Sequence, residues 1–160
     1  MDRRRLHTVT RRVLGKVLGG GAFLAIVERM SGGPIPAEAA FVCELKAAMN
    51  GAKETDGNGN FDLGDPDGRG TACIDLKPGR ICWQITVRKI GPDITASHIH
   101  RGNKTQKNGP LVDFGKKLQG CTSVEQSVIT EIRTTPGQFY VNVHTPQFPD
   151  GAIRGQLKQV

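Results

Sequence analysis

The stretch that most constrains the fold is Phe139-Tyr-Val-Asn-Val-His-Thr-Pro-Gln-Phe-Pro-Asp-Gly-Ala-Ile-Arg-Gly-Gln-Leu157. Side chains alternate across a β-strand, so Phe139, Val141 and Val143 share one face and Tyr140, Asn142 and His144 the other. Pro146, Pro149, Asp150 and Gly151 then break the pattern with residues suited to a reversal. A second alternation sets Ile153, Gly155 and Leu157 against Ala152, Arg154, Gln156 and Lys158. Two paired strands follow from this, with an unusual polar set (Asn142, His144, Arg154, Gln156) on one face. A plain surface strand has no need of such a set.

The same logic carries upstream. Ala40–Ala48 reads as a first strand with Phe41, Cys43 and Leu45 on one face. Thr71–Lys77 and Ile81–Lys89 read as a hairpin about Pro78-Gly79, with Ile81, Trp83, Ile85 and Val87 alternating and Trp83 as a core anchor. Thr95–Arg101 is a strand, followed by a polar loop at Gly102–Gly109 and a short strand at Pro110–Phe114. One stretch has helical spacing. Val124, Val128, Ile129 and Ile132 recur at that period, Ser123 and Gln126 stand in capping-box positions, and Pro136-Gly137 ends the run. The frequent Gly (21) and Pro (9) suit short strands joined by tight turns. At 160 residues the chain is long enough for one domain with its own core. The reading is an all-β, Ig-like antiparallel β-sandwich of seven or eight strands with one short helix near residues 123–134.

The N-terminus has the pattern of a leader. Residues 1–39 hold seven Lys/Arg against three Asp/Glu, a net of +4, leaving +3 on the remaining residues out of +7. No nucleic-acid-binding motif accompanies that charge, so no nucleic-acid partner is expected. Val17–Val27 is apolar but too short to span a bilayer as a helix. With Ala37-Glu38-Ala39 as a small-x-small site, residues 1–39 read as a signal peptide cleaved between Ala39 and Ala40. Thr10-Arg-Arg-Val-Leu-Gly-Lys16 is similar to a twin-arginine signal, departing from it at Gly15. The expected mature chain, residues 40–160, is secreted, monomeric and without a membrane span.

Cys43, Cys73, Cys82 and Cys121 agree with export, because an even number of spaced cysteines in an oxidising compartment reads as two disulfides. Four cysteines allow three pairings. A two-residue Pro78-Gly79 loop would set Cys82 opposite Asp75 and Cys73 opposite Gln84, which argues against a direct Cys73–Cys82 bridge.

The segments ASHIHRGNKTQKNGPLV and YVNVHTPQFPDGAIRGQL together resemble the CHRD domain family, over roughly residues 40 to 160. The shared elements are an HIH followed by a glycine and a Gly-Pro, a late NVHT, and a closing G-x-I-R-G-Q-L. The resemblance implies an extracellular all-β domain, here a single-domain member of secreted microbial type. It also implies a Cys82–Cys121 bridge, which leaves Cys43 with Cys73.

Three histidines remain once the leader's His7 is set aside. His98 and His100 share a strand face, with Ile99 on the other. If His144 lies beside them, three imidazoles form a first shell suited to zinc or copper with an open position. A similar H-x-H with a distant third His holds copper in Cu/Zn superoxide dismutase, but no counterpart of that enzyme's zinc loop is present, so dismutase activity is not expected. The alternative is a purely structural polar network of the histidines with Asn142, Arg154 and Gln156. Asp56–Asp62 spaces oxygen side chains as calcium loops do, but Phe61 and Asp67 stand where such a loop needs Gly and Glu, and a solvated turn is expected. No G-x-S-x-G, H-E-x-x-H or phosphate-binding Gly loop occurs. The expected function is a secreted, non-enzymatic module of binding or structural role, for an extracellular or cell-surface partner that the sequence does not identify. The alternative is a copper- or zinc-binding protein using His98, His100 and His144, with a role in redox chemistry among its uses.

Overall fold

The computed structural model describes residues 40–160; the expected leader and its cleavage site lie outside the described residues. Nine strands and one helix occur among them: β1 Leu45–Asn50, β2 Arg69–Lys77, β3 Arg80–Arg88, β4 Ala96–Arg101, β5 Pro110–Gly115, β6 Gln119–Ser123, α1 Gln126–Thr134, β7 Phe139–His144, β8 Ile153–Gln156 and β9 Lys158–Gln159. They form one antiparallel sheet in the order β5-β4-β7-β8-β1-β2-β3-β6, with β9 paired to β1. The all-β sandwich with a single short helix is present, its layers being one continuous sheet curled until it is nearly a barrel.

Alternation explains the core. Leu45, Ala47 and Met49 of β1, Ala72, Ile74 and Leu76 of β2, and Ile81, Trp83 and Ile85 of β3 all turn inward. They meet Ile99, Val112, Phe114, Phe139, Val141, Val143, Ile153 and Leu157 from the rest of the sheet. Trp83 stacks on Phe114 with ring centroids 4.1 Å apart, and its indole Nε1 donates to the Lys117 carbonyl at 3.1 Å. That contact brings β5, at one end of the strand order, face to face with β3, next to the other end. The helix closes one end of the core with Ile129 and Ile132, both fully buried.

Local departures have physical causes. The first strand begins at Leu45 rather than Ala40, because Val42 and Glu44 spend their amides on the Asp75 carboxylate and the Ile74 carbonyl instead of a ladder. The capping box does not form. Ser123 is the last residue of β6, opposite Arg80, and the Gln126 side chain instead accepts from the Gly79 amide at 2.9 Å. Nine strands rather than seven or eight are present because Gln119–Ser123 and Lys158–Gln159, too short and polar to show a period, pair at strand edges. The hairpin about Pro78-Gly79 has the expected register, Asp75 opposite Cys82 and Cys73 opposite Gln84.

The disulfides are Cys43–Cys73 and Cys82–Cys121, closing separations of 30 and 39 residues. The second joins directly opposed residues of β3 and β6. Each is worth about 3–4 kcal/mol in the chain-entropy account.

Gly155 is required by a close approach. A Cβ there would lie 2.5 Å from the Ala48 carbonyl oxygen, a backbone atom that cannot swing away. Gly155→Ala is therefore expected to push β8 off β1 and to lower stability by about 2–3 kcal/mol, in the range of overpacking substitutions. Urea denaturation checks this; an unchanged midpoint would show that the two strands separate freely.

Candidate three-histidine site

Pairing of β4 with β7 assembles the site. His98 stands opposite Asn142, His100 opposite Tyr140, and Ala96 opposite His144. Cross-strand partners share a face, so the HIH pair, Tyr140, Asn142 and His144 point the same way. β7 is buried on both faces, with Tyr140 and Asn142 as inaccessible as Phe139 and Val141. The polar face noted in the sequence is thus an interior one. The His98, His100 and His144 rings, with Glu54, Lys107, Asn108, Tyr140, Asn142, Pro149 and Asp150, line a pocket of about 420 Å³.

One ring nitrogen from each of the three histidines lies within 4.8 Å of the others, and no other such group of His, Cys, Asp or Glu is found among the described residues. Two outward nitrogens are hydrogen-bonded to backbone carbonyls, and the third stands near a carboxylate. Nδ1 of His100 is 2.7 Å from the Asn108 carbonyl, Nδ1 of His144 is 2.8 Å from the Pro149 carbonyl, and Nε2 of His98 is 3.6 Å from Asp113 Oδ1. A carbonyl can only accept, so His100 and His144 carry their proton on Nδ1; Nε2 of His144 turns its lone pair inward, while Nε2 of His100 faces the Asn142 side-chain amide. Nε2 of His144 is 3.2 Å from Nδ1 of His98. His98 then has a choice: its proton bridges to His144, leaving Nε2 bare against a carboxylate, or it faces Asp113 and two lone pairs meet. The first gives a 3.2 Å N–H···N bond; the second leaves the His98–His144 contact without a proton.

All three rings are held below the ordinary imidazole value by burial, with the neighbouring His144 and His100 adding to the effect at His98. Neutral imidazole is the metal-binding form. His100 is further fixed by parallel stacking on Tyr140, with ring centroids 4.7 Å apart. The Arg154 guanidinium also lies over that tyrosine ring, its Cζ 3.4 Å from the centroid.

The supporting residues divide. Asn142 belongs to the site, with Oδ1 2.9 Å from Nε2 of His100. Arg154 is buried and donates from Nη2 to the Asn103 carbonyl at 2.7 Å. Gln156 donates to the carbonyls of Gly102 and Gly137, pinning the loop after β4. Asp56 spends its carboxylate on Asn58 and Asn60 within its own loop, the solvated turn expected there.

Sequence reasoning missed Glu54. It is 4% exposed, and its Oε1 has no hydrogen-bond partner. Burial pushes its carboxyl up to about 7, against the opposing pull of Arg154. Glu54 sits in a Gly-rich connection with no period, so only its place against Gly64 and Gly151 reveals it. In the metal-free protein the native carboxyl holds its proton more tightly than the unfolded one, whose ordinary value is 4.5. Between those values the native state binds more protons, so this group's contribution falls as pH rises and levels off above about 7. Glu54→Gln is expected to remove that decline and gain about 2–3 kcal/mol at pH 8 relative to pH 4.5. The difference between parent and variant unfolding free energies across that range isolates it from the histidines; a constant difference would show an unperturbed carboxyl.

A disulfide-linked antiparallel β-domain is the class that this fold defines. Residues 45–157 match the CHRD domain family model, and the chain belongs to that family. No curated protein and no solved structure matches the chain. Among the described residues no helix is long and apolar enough to cross a membrane.

Proposed function

We propose that this protein is an exported, non-catalytic CHRD module whose binding centre is the set His98, His100 and His144, taking a zinc or copper ion. The observation that carries the reading is the inward convergence of three imidazoles whose outward nitrogens are each turned to an oxygen. Ligating histidines characteristically hold their second nitrogen in this way. Three nitrogen ligands with space beside them suit zinc and copper and leave a position for a water or a partner's side chain. Export is supported by the Arg-rich, apolar N-terminal segment and by the two disulfides.

A second reading has its own observation. His100 is bonded through both nitrogens, to the Asn108 carbonyl and to the Asn142 side chain, as a structural network would have it. The two readings part on one experiment. Elemental mass spectrometry of purified protein, after incubation with zinc and with copper, should find close to one ion per chain, lost in His100→Ala. No metal in the parent, with the variant merely less stable, would leave the histidines a structural role.

A further inference from the structure

A second cavity, of about 400 Å³, lies away from the histidines, lined by Ala48, Ala52, Lys53, Phe61, Lys104, Arg154, Gln156 and Lys158. Four of those side chains are cationic and none is acidic. They come from four separate places: the 3₁₀ turn after β1, the loop after β4, β8 and β9. Three ammonium groups gathered without a carboxylate repel one another. Burial, and then the charges of Lys158 and Lys104, lowers the Lys53 ammonium below its ordinary value. The fourth cation is not a flexible surface group. Arg154 is 2% exposed, locked over Tyr140 and bonded to Asn103, and its Nη1 has no acceptor. A buried guanidinium nitrogen without an acceptor is a standing cost, and its charge adds to that of the lysines lining the cavity.

The remaining lining narrows the ligand. Phe61 is 42% exposed, one of few large apolar side chains left in solvent, and it lines the cavity together with Ala48 and Ala52. An aromatic face beside amide and ammonium donors is suited to a sugar ring, with its apolar C–H face on the ring and its hydroxyls toward Gln156 and the lysines. The basic rim continues past Lys104, Gln156 and Lys158 into an adjoining depression lined by Asn103, Thr105 and Gly137. That continuity gives a chain of sugars somewhere to run.

We propose that this cavity binds an acidic polysaccharide, seating a carboxylate- or sulfate-bearing sugar on Phe61 with its anionic group among Lys53, Lys104, Lys158 and Arg154. The anion neutralises the lysine cluster. Its lining shares no residue with the histidine pocket, and the proposal stands whether or not the histidines hold a metal.

The test is calorimetric titration of the full chain with a polyguluronate hexamer, a heparin-derived hexasaccharide, uncharged maltohexaose and inorganic sulfate. The expected result is saturable binding of at least one acidic hexasaccharide, weakening as salt rises, with maltohexaose silent. A Lys104→Gln/Lys158→Gln variant, altering two exposed side chains, should bind about tenfold more weakly while its circular dichroism and melting temperature stay unchanged. Preference between the uronate and the sulfate oligomer tells which group the site takes. Binding undiminished in the variant, sulfate alone competing as well as either oligomer, or no binding of any acidic oligomer would overturn the proposal.

Discussion

Alanine in place of His144 is expected to abolish stoichiometric zinc or copper binding, with affinity falling by more than about 100-fold. Losing a residue that only orients a ligand already reduces metal affinity by about 10–100-fold, and loss of one of three ligands exceeds that. His144 is the informative choice because it comes from the other strand. His98 and His100 share β4 and stay together in any folded state, whereas His144 reaches them only through the β4–β7 pairing. Its Nδ1 bond to the Pro149 carbonyl fixes which nitrogen faces inward. Zinc at a hundred times its dissociation constant should stabilise the parent by about 2.7 kcal/mol and leave the variant unmoved. Thermal melts with and without zinc read this directly. Equal shifts in both proteins would place the ion elsewhere; no shift in the parent would sink the metal reading. Affinity should also fall with pH, since protons compete for the same lone pairs.

The second large effect is on stability. Arg154→Met is expected to lower it by about 3–5 kcal/mol, from the lost charged hydrogen bond to Asn103 and the lost cation–π contact with Tyr140. The guanidinium lies over Tyr140, bonds Asn103, and attracts the buried Glu54. Methionine keeps much of the volume but none of the charge. Glu54 would then be buried without that attraction, so the loss should be larger at pH 8, where the carboxyl is ionised, than at pH 5. Urea unfolding at the two pH values measures it, and adding Glu54→Gln to the variant should recover part of the loss. A pH-independent loss, unaffected by the second substitution, would mean that Arg154 acts through packing alone.

Periodicity made the sheet readable. β3, β4 and β7 alternate cleanly, and the Pro78-Gly79 hairpin announces its own register, so His98 and His100 could be placed on one face in advance. The convergence of His144 with them needed the β4–β7 pairing, which no local pattern encodes. Glu54 and the lysine cavity were invisible for a different reason. Lys53, Lys104 and Lys158 sit in three unrelated polar segments, where a charge is the default at a surface, and only folding brings them together. The helix shows the limit of local signals. Its apolar spacing held, but its capping residues were recruited by the neighbouring strand and turn, a tertiary demand stronger than a cap worth about 1 kcal/mol.

The placement of the two disulfides divides the sheet. Cys43–Cys73 and Cys82–Cys121 tie together the β1-β2-β3-β6 side, while β4, β5, β7 and β8 have no covalent cross-link among themselves. An ion held by His98, His100 and His144 would join β4 to β7 within that unbridged half. Each half would then be fastened by a different chemistry, one needing an oxidant and the other a metal. With that ion such a chain would mature in two separable steps, air without metal securing one half and metal under reducing conditions the other.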